Sequence, residues 1–505
     1  MRMWLTNKDV IVVAASPTSL DIVSQALTVE LPKKSQWYIK QRNPWSDGTK
    51  KFFNRVTRRF ASGHLPYILE ILDNLGIRYS IKDARSTPSL TRPLLTVQEW
   101  VALLRQRQFS VIPELALVQH KAVASLYKHT VHGMPWHRGG LSLPTGSGKT
   151  VTSFFITETF PHPALYLINQ QNLILQSLRT YQQLFEKDPG IIWQQQWEPS
   201  PATTLAMMQT LAPRIRGTKK KAPDERAIEY LQSVQTVVVD EAHLVSDNSY
   251  WDILDALPNA SVRVALGGSL LRRPDLGDWW FLGGFGPIIH HVPSKTLIKK
   301  GLLAKTKVFL IDVKQPKSRY KYAVAEKQVI IRNDYRNMLG ISAALLAASK
   351  GWVTLMTVQK EEHGQQVRAL FDSLGYQVPF LNYRDPVEYR KEYLEAMNRE
   401  EVKIVIASRI FNVGVDVPMI RFIVRLDGGL SAITSTQIPG RGMRKKQRHN
   451  QLYMLDFVDQ THKDFHRHSK ERLRVYGEEG YDLEAITDIE DIQFTDLTES
   501  SDQTA

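Results

Sequence analysis

The segment Leu141-Ser142-Leu143-Pro144-Thr145-Gly146-Ser147-Gly148-Lys149-Thr150 constrains the chain more than any other. An apolar run enters a Gly-rich turn and leaves it as a helix that opens on Lys149 and Thr150. Backbone N–H groups of Gly146, Ser147 and Gly148 at a helix N-terminus can cradle phosphate oxygens after Thr145. Lys149 adds a point charge, and the Thr150 hydroxyl is free for a magnesium ion. Leu143 stands where the strict form of such a loop has a glycine. About 90 residues further on, the apolar run Thr236-Val237-Val238-Val239 ends in Asp240-Glu241-Ala242-His243, a separation that parallel-sheet topology closes in space. At a strand's C-terminal end Asp240 can hold magnesium, and Glu241 can orient and deprotonate an attacking water. These two segments fit an α/β fold and point to a phosphate ligand held with magnesium.

The chain has 505 residues, too many for one ordinary core, so two or three domains are expected. Residues 1–95 mix short β-rich runs with one helical pattern, Leu65 to Ile77, and read as a small α/β module. Residues 96–293 and 294–476 each alternate apolar strand-like runs with helical segments, which predicts two parallel-sheet α/β domains in tandem. Residues 477–505 hold ten acidic residues and no Lys or Arg. They read as an acidic, flexible tail, dispensable for catalysis and suited to a basic protein partner.

The composition excludes several classes. No cysteine is present, so disulfide frameworks and thiolate sites are ruled out. No apolar run reaches the roughly 18 residues of a membrane span, and the first apolar run, Val10 to Ala15, reads as a strand rather than a signal peptide. A cytoplasmic, monomeric protein with no membrane contact is expected. The formal charge of +14 favours a polyanionic partner.

Lys149-Thr150 and Asp240-Glu241-Ala242-His243 resemble motifs I and II of superfamily 2 helicases, and further segments resemble the family's other motifs in order across residues 110–460. Gln119 is similar to the glutamine that reads the adenine edge. Gln176 sits in a likeness of motif Ia, and Gln209 with Thr210 in the strand-binding motif after it. Gly268 and Ser269 stand where motif III belongs, with the usual Ser/Thr-Ala-Thr replaced. Gly414 and Asp416 resemble motif V, and Gln437, Gly440, Arg441 and Arg444 reproduce the QxxGRxxR of motif VI. Arginines at i and i+3 share a helix face, so both can act on a γ-phosphate as arginine fingers. The resemblance implies two tandem RecA-like domains behind the N-terminal accessory module, ATP and Mg2+ as ligands, and a motor on nucleic acid.

The N-terminal stretch, through Trp45, Asp47, Gly48, Phe52, Gly63 and Pro66, resembles the accessory domain of UvsW-type helicases of large tailed bacteriophages. That likeness implies branch migration of forked or four-way DNA, as by the functionally related RecG, in a host cell's cytoplasm. Lys33, Lys34, Lys40, Arg42, Lys50, Lys51, Arg55, Arg58 and Arg59 lie there with Trp37, Tyr38 and Trp45, a composition suited to phosphate contact. Arg55, Arg58 and Arg59 are the foremost DNA candidates. An RNA-directed DExH helicase and a restriction-type duplex translocase are the rival enzymes, and a non-hydrolysing binding module is the rival of another class.

Overall fold

The computed structural model describes residues 1–32, 36, 46–217, 222–242, 248–268, 270–271, 276–382, 384–408, 417–429 and 450–494. Met1–Leu143 with Ser147–His291 form one compact unit, and Val292–Ala505 with Pro144–Gly146 the other.

The N-terminal module is a five-stranded sheet in the order Phe53–Asn54, Arg59–Ala61, Asp9–Ala14, Arg2–Leu5, Ser80–Asp83. Alternation sets its faces: Met3 and Leu5 point inward while Arg2 and Trp4 point out. Helix Leu65–Asn74 covers the inner face with Leu65, Ile68, Leu69 and Leu72, the one-sided spacing of an amphipathic helix.

This module is not a free-standing domain ending at residue 95. Its core runs on into Val131, Met134, Trp136 and Trp279. Phe52 stacks on Trp279 at 5.9 Å and meets Trp280 edge-on at 5.0 Å. A Cβ on Gly63 would lie 2.1 Å from the Leu282 carbonyl oxygen, so glycine there lets two backbones touch. The buried guanidinium of Arg138 donates to Asn7 O, Ser62 Oγ, Phe285 O and Gly284 O. Deleting residues 1–95 would strip partners from Arg138 and uncover Trp136 and Trp279. A soluble motor lacking residues 1–95 is therefore not expected. Trp136, Trp279 and Trp280 are apolar residues whose partners lie far away in sequence, which hid the shared core.

The first unit's main sheet has eight strands in the order Gln196–Glu198, Gly190–Trp193, Thr203–Met207, Ala164–Ile168, Thr236–Val239, Val262–Gly267, Arg138–Ser142, Ile288–His291. Every pairing is parallel except the Gly190–Trp193/Gln196–Glu198 hairpin. Thr203–Met207, Ala164–Ile168, Thr236–Val239, Val262–Gly267 and Arg138–Ser142 are buried at every position, as expected of strands covered on both faces.

The second unit is a seven-stranded, wholly parallel sheet: Phe380–Leu381, Ile404–Ala407, Val353–Thr357, Ile420–Arg425, Gln451–Asp459, Lys305–Val313, Asp482–Ile486. Its last strand corrects the reading of residues 477–505 as a flexible tail. Residues 477–479 close helix Lys463–Glu479, Asp482–Ile486 pairs with Lys305–Val313, and Ile486, Ile489, Ile492 and Phe494 enter the main core. Acidic residues mask an apolar set spaced for burial, and the charge count alone hid it. Residues 495–505 lie outside the described residues. Ile489→Ala should lower unfolding stability by about 2–4 kcal/mol, measured by denaturant titration; an unchanged midpoint would contradict the docked end.

Candidate functional site

Strand Arg138–Ser142 delivers the loop Pro144–Gly148, and helix Lys149–Thr159 follows it. Leu143 is wholly buried and its N–H bonds Gly267 O at 2.9 Å, so this position serves the core rather than the loop. Gly146 and Gly148 take φ of +85° and +81°, the left-handed region that favours glycine. A Cβ on Gly148 would also fall 2.1 Å from Gln119 Nε2.

Gln119 lies buried under the loop: its Nε2 donates to Ser147 O at 3.0 Å, and its Oε1 accepts from Trp100 Nε1 at 3.2 Å. In this structure its amide braces the loop from below. Trp100 was not anticipated, because an indole inside a helical pattern looks like simple packing.

Asp240 follows Thr236–Val239, and its buried carboxylate accepts from Tyr166 Oη at 3.0 Å and from Glu241 N at 2.9 Å. Glu241 has φ of +47°, a conformation that costs a non-glycine residue roughly 1 kcal/mol or more. Lys149 Nζ stands 4.0 Å from Glu241 Oε1. Burial and then the Glu241 charge push the Asp240 carboxyl up to about 6, while Lys149 and Tyr166 pull it down. Burial also raises the Tyr166 hydroxyl well above its ordinary value, so it stays a donor. Tyr166 sits within an apolar strand, Ala164–Ile168, where its hydroxyl gave no sequence signal.

Two adjacent carboxylates crowded in a buried site are eased by a cation. The described residues hold no group of three or more His, Cys, Asp or Glu able to ligate a metal by themselves. This donor set fits magnesium, which keeps several waters and takes one or two carboxylates together with substrate phosphates. Asp240 and the half-buried Thr150 would hold it, and Lys149 with the loop amides would hold phosphate.

Gly268 accepts from Ser142 Oγ at 3.2 Å through its carbonyl, tying the segment after Val262–Gly267 to the end of the loop's own strand. Ser269 and His243 lie outside the described residues, as do Gly414, Asp416, Gln437, Gly440, Arg441 and Arg444. Gln176 is exposed on helix Gln171–Phe185. Gln209 and Thr210 begin helix Met208–Arg216, with Gln209 Nε2 donating to Asn169 O at 2.7 Å and Thr210 Oγ1 accepting from Gln194 N at 3.0 Å. All three follow C-terminal ends of parallel strands, the edge at which open α/β sheets bind ligands.

Arg55, Arg58 and Arg59 share one hairpin of the N-terminal module. Asn54 Oδ1 accepts from the N–H of Val56 and of Thr57, both at 3.0 Å, which shapes the turn and leaves Val56 93% exposed at its tip. Arg55 pairs with Asp21 at 2.7 Å and Arg59 with Asp9 at 3.8 Å. Lys33, Lys34, Trp37, Tyr38, Lys40, Arg42 and Trp45 lie outside the described residues.

The second unit holds a buried ionic network that sequence reasoning missed. Arg425 Nε donates to Asp427 Oδ1 at 2.8 Å and its Nη1 to Tyr476 Oη at 2.7 Å. Tyr476 Oη donates to Asp456 Oδ2 at 2.7 Å, and Arg472 bonds both Asp456 oxygens and Gly429 O. Arg336 grips both oxygens of Asp459 and the Leu426 carbonyl. These contacts fix residues 426–429, from which the chain enters the segment holding Gln437, Arg441 and Arg444.

Residues 112–270 match the family described as type III restriction enzyme, res subunit, and residues 338–446 match the helicase conserved C-terminal domain. The chain is a superfamily 2 helicase. Among curated relatives of this helicase, putative helicase 22 of Sulfolobus islandicus filamentous virus is 23% identical over 344 residues, 63% of this chain and 60% of that protein. The helicase chain thus spans about three-fifths of that relative. Among solved structures, a putative HsdR subunit of a type I restriction enzyme from Vibrio vulnificus superposes with a TM-score of 0.54 at 17% identity, covering 73% of this chain and 68% of that one. T4 UvsW covers 96% of this chain and 99% of its own at 16% identity, with a TM-score of 0.45, below the level at which a superposition alone argues a shared fold. No helix among the described residues is long and apolar enough to cross a membrane.

The raised Asp240 value gives a prediction with a definite sign. Because the folded value lies above the ordinary 3.8, this group's stabilisation is complete below about pH 4 and is lost as pH rises through about 6. Nucleotide-free Asp240→Asn should therefore melt above wild type at neutral pH, with the gap closing toward pH 4, while ATP turnover is lost. Parallel melting curves across that window would contradict the assignment.

Proposed function

We propose that this chain is an ATP-driven motor that moves along DNA and remodels branched DNA, regressing forks and migrating four-way junctions in recombination, repair or replication. The observation that carries the motor is the pairing of Lys149 with Glu241 beside the buried Asp240, at the exit of the Gly-rich loop. Loop amides, Lys149 and Thr150 bind the triphosphate and its magnesium, and Glu241 takes the proton of the attacking water. Held by Asp240 and Thr150, magnesium would supply charge neutralisation on the phosphates. In this reading Arg441 and Arg444 stabilise the transition state, Gln437, Gly414 and Asp416 join the nucleotide site, and Gln176, Gln209 and Thr210 meet the strand.

The N-terminal module supports the branched substrate. It is fused to the first motor unit through Arg138 and the Phe52–Trp279–Trp280 cluster, and it presents an arginine-flanked hairpin whose tip is an exposed valine. Basic side chains hold phosphates and an apolar tip can part stacked bases. The restriction-type duplex translocase is the second reading, favoured by the family matched at residues 112–270.

ATPase assays with forks, four-way junctions, linear duplex and single-stranded RNA separate these readings. Forks and junctions should stimulate most; equal stimulation by linear duplex would favour the translocase, and stimulation by RNA alone would overturn DNA as the track. Arg55→Glu, Arg58→Glu and Arg59→Glu together should abolish junction migration while sparing nucleic-acid-free ATPase. They should also reduce the slope of log affinity against log salt by about 3. Junction migration at the wild-type rate would remove the hairpin from the account.

A further inference from the structure

The connector between strand Lys305–Val313 and helix Asp334–Ser349 carries a feature that the motor reading does not use. Its sequence, Lys314-Gln315-Pro316-Lys317-Ser318-Arg319-Tyr320-Lys321-Tyr322, interleaves cations with aromatic rings. Tyr320 is 62% exposed, and Tyr322 and Val324 lie near one half. Lys317, Arg319 and Lys321 are exposed and make no salt bridge with a described residue.

The connector is well anchored. Ser318 N donates to Thr461 O at 3.0 Å, Lys317 Nζ to Gln460 O at 2.6 Å, and His462 Nε2 lies 3.1 Å from Tyr320 O. Below it, Ala325, Val329, Ile330 and Phe465 form a small core of their own, and the Tyr322 ring packs 5.1 Å from that of Phe465. Backbone contacts thus hold residues 317–322 in place while Tyr320 faces solvent. Exposing a ring on a fixed backbone forgoes burial worth roughly 1–2 kcal/mol, and such patches mark binding surfaces when they cluster.

The patch follows the C-terminal end of a parallel strand. It therefore shares the sheet edge at which Ile404–Ala407 and Ile420–Arg425 end, ahead of the segments that resemble motifs V and VI. Exposed rings among cations that form no salt bridge with a described residue match a ligand with accessible aromatic faces and a phosphate backbone. A duplex hides its base faces, whereas a single strand offers them. Resting on the motor reading, we propose that residues 317–322 form a second nucleic-acid contact, which stacks bases of single-stranded DNA on Tyr320 and holds its phosphates with Lys317, Arg319 and Lys321.

The test uses the full chain, with fluorescence anisotropy on labelled oligothymidylate and on a blunt duplex of equal length. Tyr320→Ala should weaken single-strand binding about tenfold, and Tyr320→Phe should restore it. Lys317→Glu, Arg319→Glu and Lys321→Glu together should lower the salt slope by about 2. Nucleic-acid-free ATPase should match wild type in every variant, and the melting temperature should match in Tyr320→Ala and Tyr320→Phe. The proposal is overturned if Tyr320→Ala binds as wild type does, if Tyr320→Phe fails as badly as Tyr320→Ala, or if duplex binding falls as much as single-strand binding. Wild-type protein that shows neither nucleic-acid binding nor stimulated ATPase would instead overturn the motor reading on which this one rests.

Discussion

The close placement of Lys149, Glu241 and the buried Asp240 is the interaction around which the first unit is organised. Lys149 opens the helix after the Gly-rich loop, whereas Asp240 and Glu241 follow strand Thr236–Val239, and the two carboxylates are costly to keep there: Asp240 is pushed toward neutrality by burial and by its neighbour, and Glu241 sits in a left-handed backbone conformation. The surroundings offset these costs with directed contacts. Tyr166 and the Glu241 amide satisfy Asp240, while Trp100 and Gln119 hold the Gly-rich loop at Ser147. A site built at such expense is poised for a ligand that brings positive charge to the carboxylates and negative charge to the loop.

Buried arginines serve as fixings in both units. Arg138 and Arg263 pair in register on adjacent strands and donate to backbone carbonyls, Arg138 at Gly284 and Phe285, the last residues of helix Gly277–Phe285, and Arg263 at Leu254 in the last turn of helix Asn248–Asp255 and at Leu257 and Ala260 beyond it. Cations there complement the helix dipole and satisfy orphan carbonyls. Arg138 also clasps the N-terminal module, so the strand that leads to the phosphate loop and the module share one anchor. In the second unit Arg425, Arg472 and Arg336 perform the same fixing with carboxylates. Removing one member of such a pair leaves an uncompensated buried charge, which makes residues 426–429 a rigid lead into the segment carrying Arg441 and Arg444.

The parts legible in the sequence were those whose chemistry is local. Gly146 to Thr150 declare a phosphate loop because glycines, a lysine and a threonine must be contiguous, and Asp240-Glu241 declare themselves at the end of an apolar strand. The alternation of strands and helices gave both parallel sheets. Illegible were contacts made at long sequence range by ordinary residue types: Tyr166 on Asp240, Trp100 on Gln119, Trp279 on Phe52, Arg472 on Asp456. The acidic end misled for a related reason, since Ile486, Ile489 and Ile492 are spaced for burial yet sit among charges that dominate the composition.

The central claim is that Glu241 activates water while the loop, Lys149 and Asp240 bind nucleotide. Glu241→Gln separates the two, because the amide keeps the shape and loses the base. Equilibrium binding of ATP with magnesium and single-turnover hydrolysis, measured on the same preparation, test it most directly. The account predicts ATP affinity near that of wild type with hydrolysis slowed by at least about a hundredfold. Hydrolysis at the wild-type rate in this variant would contradict it.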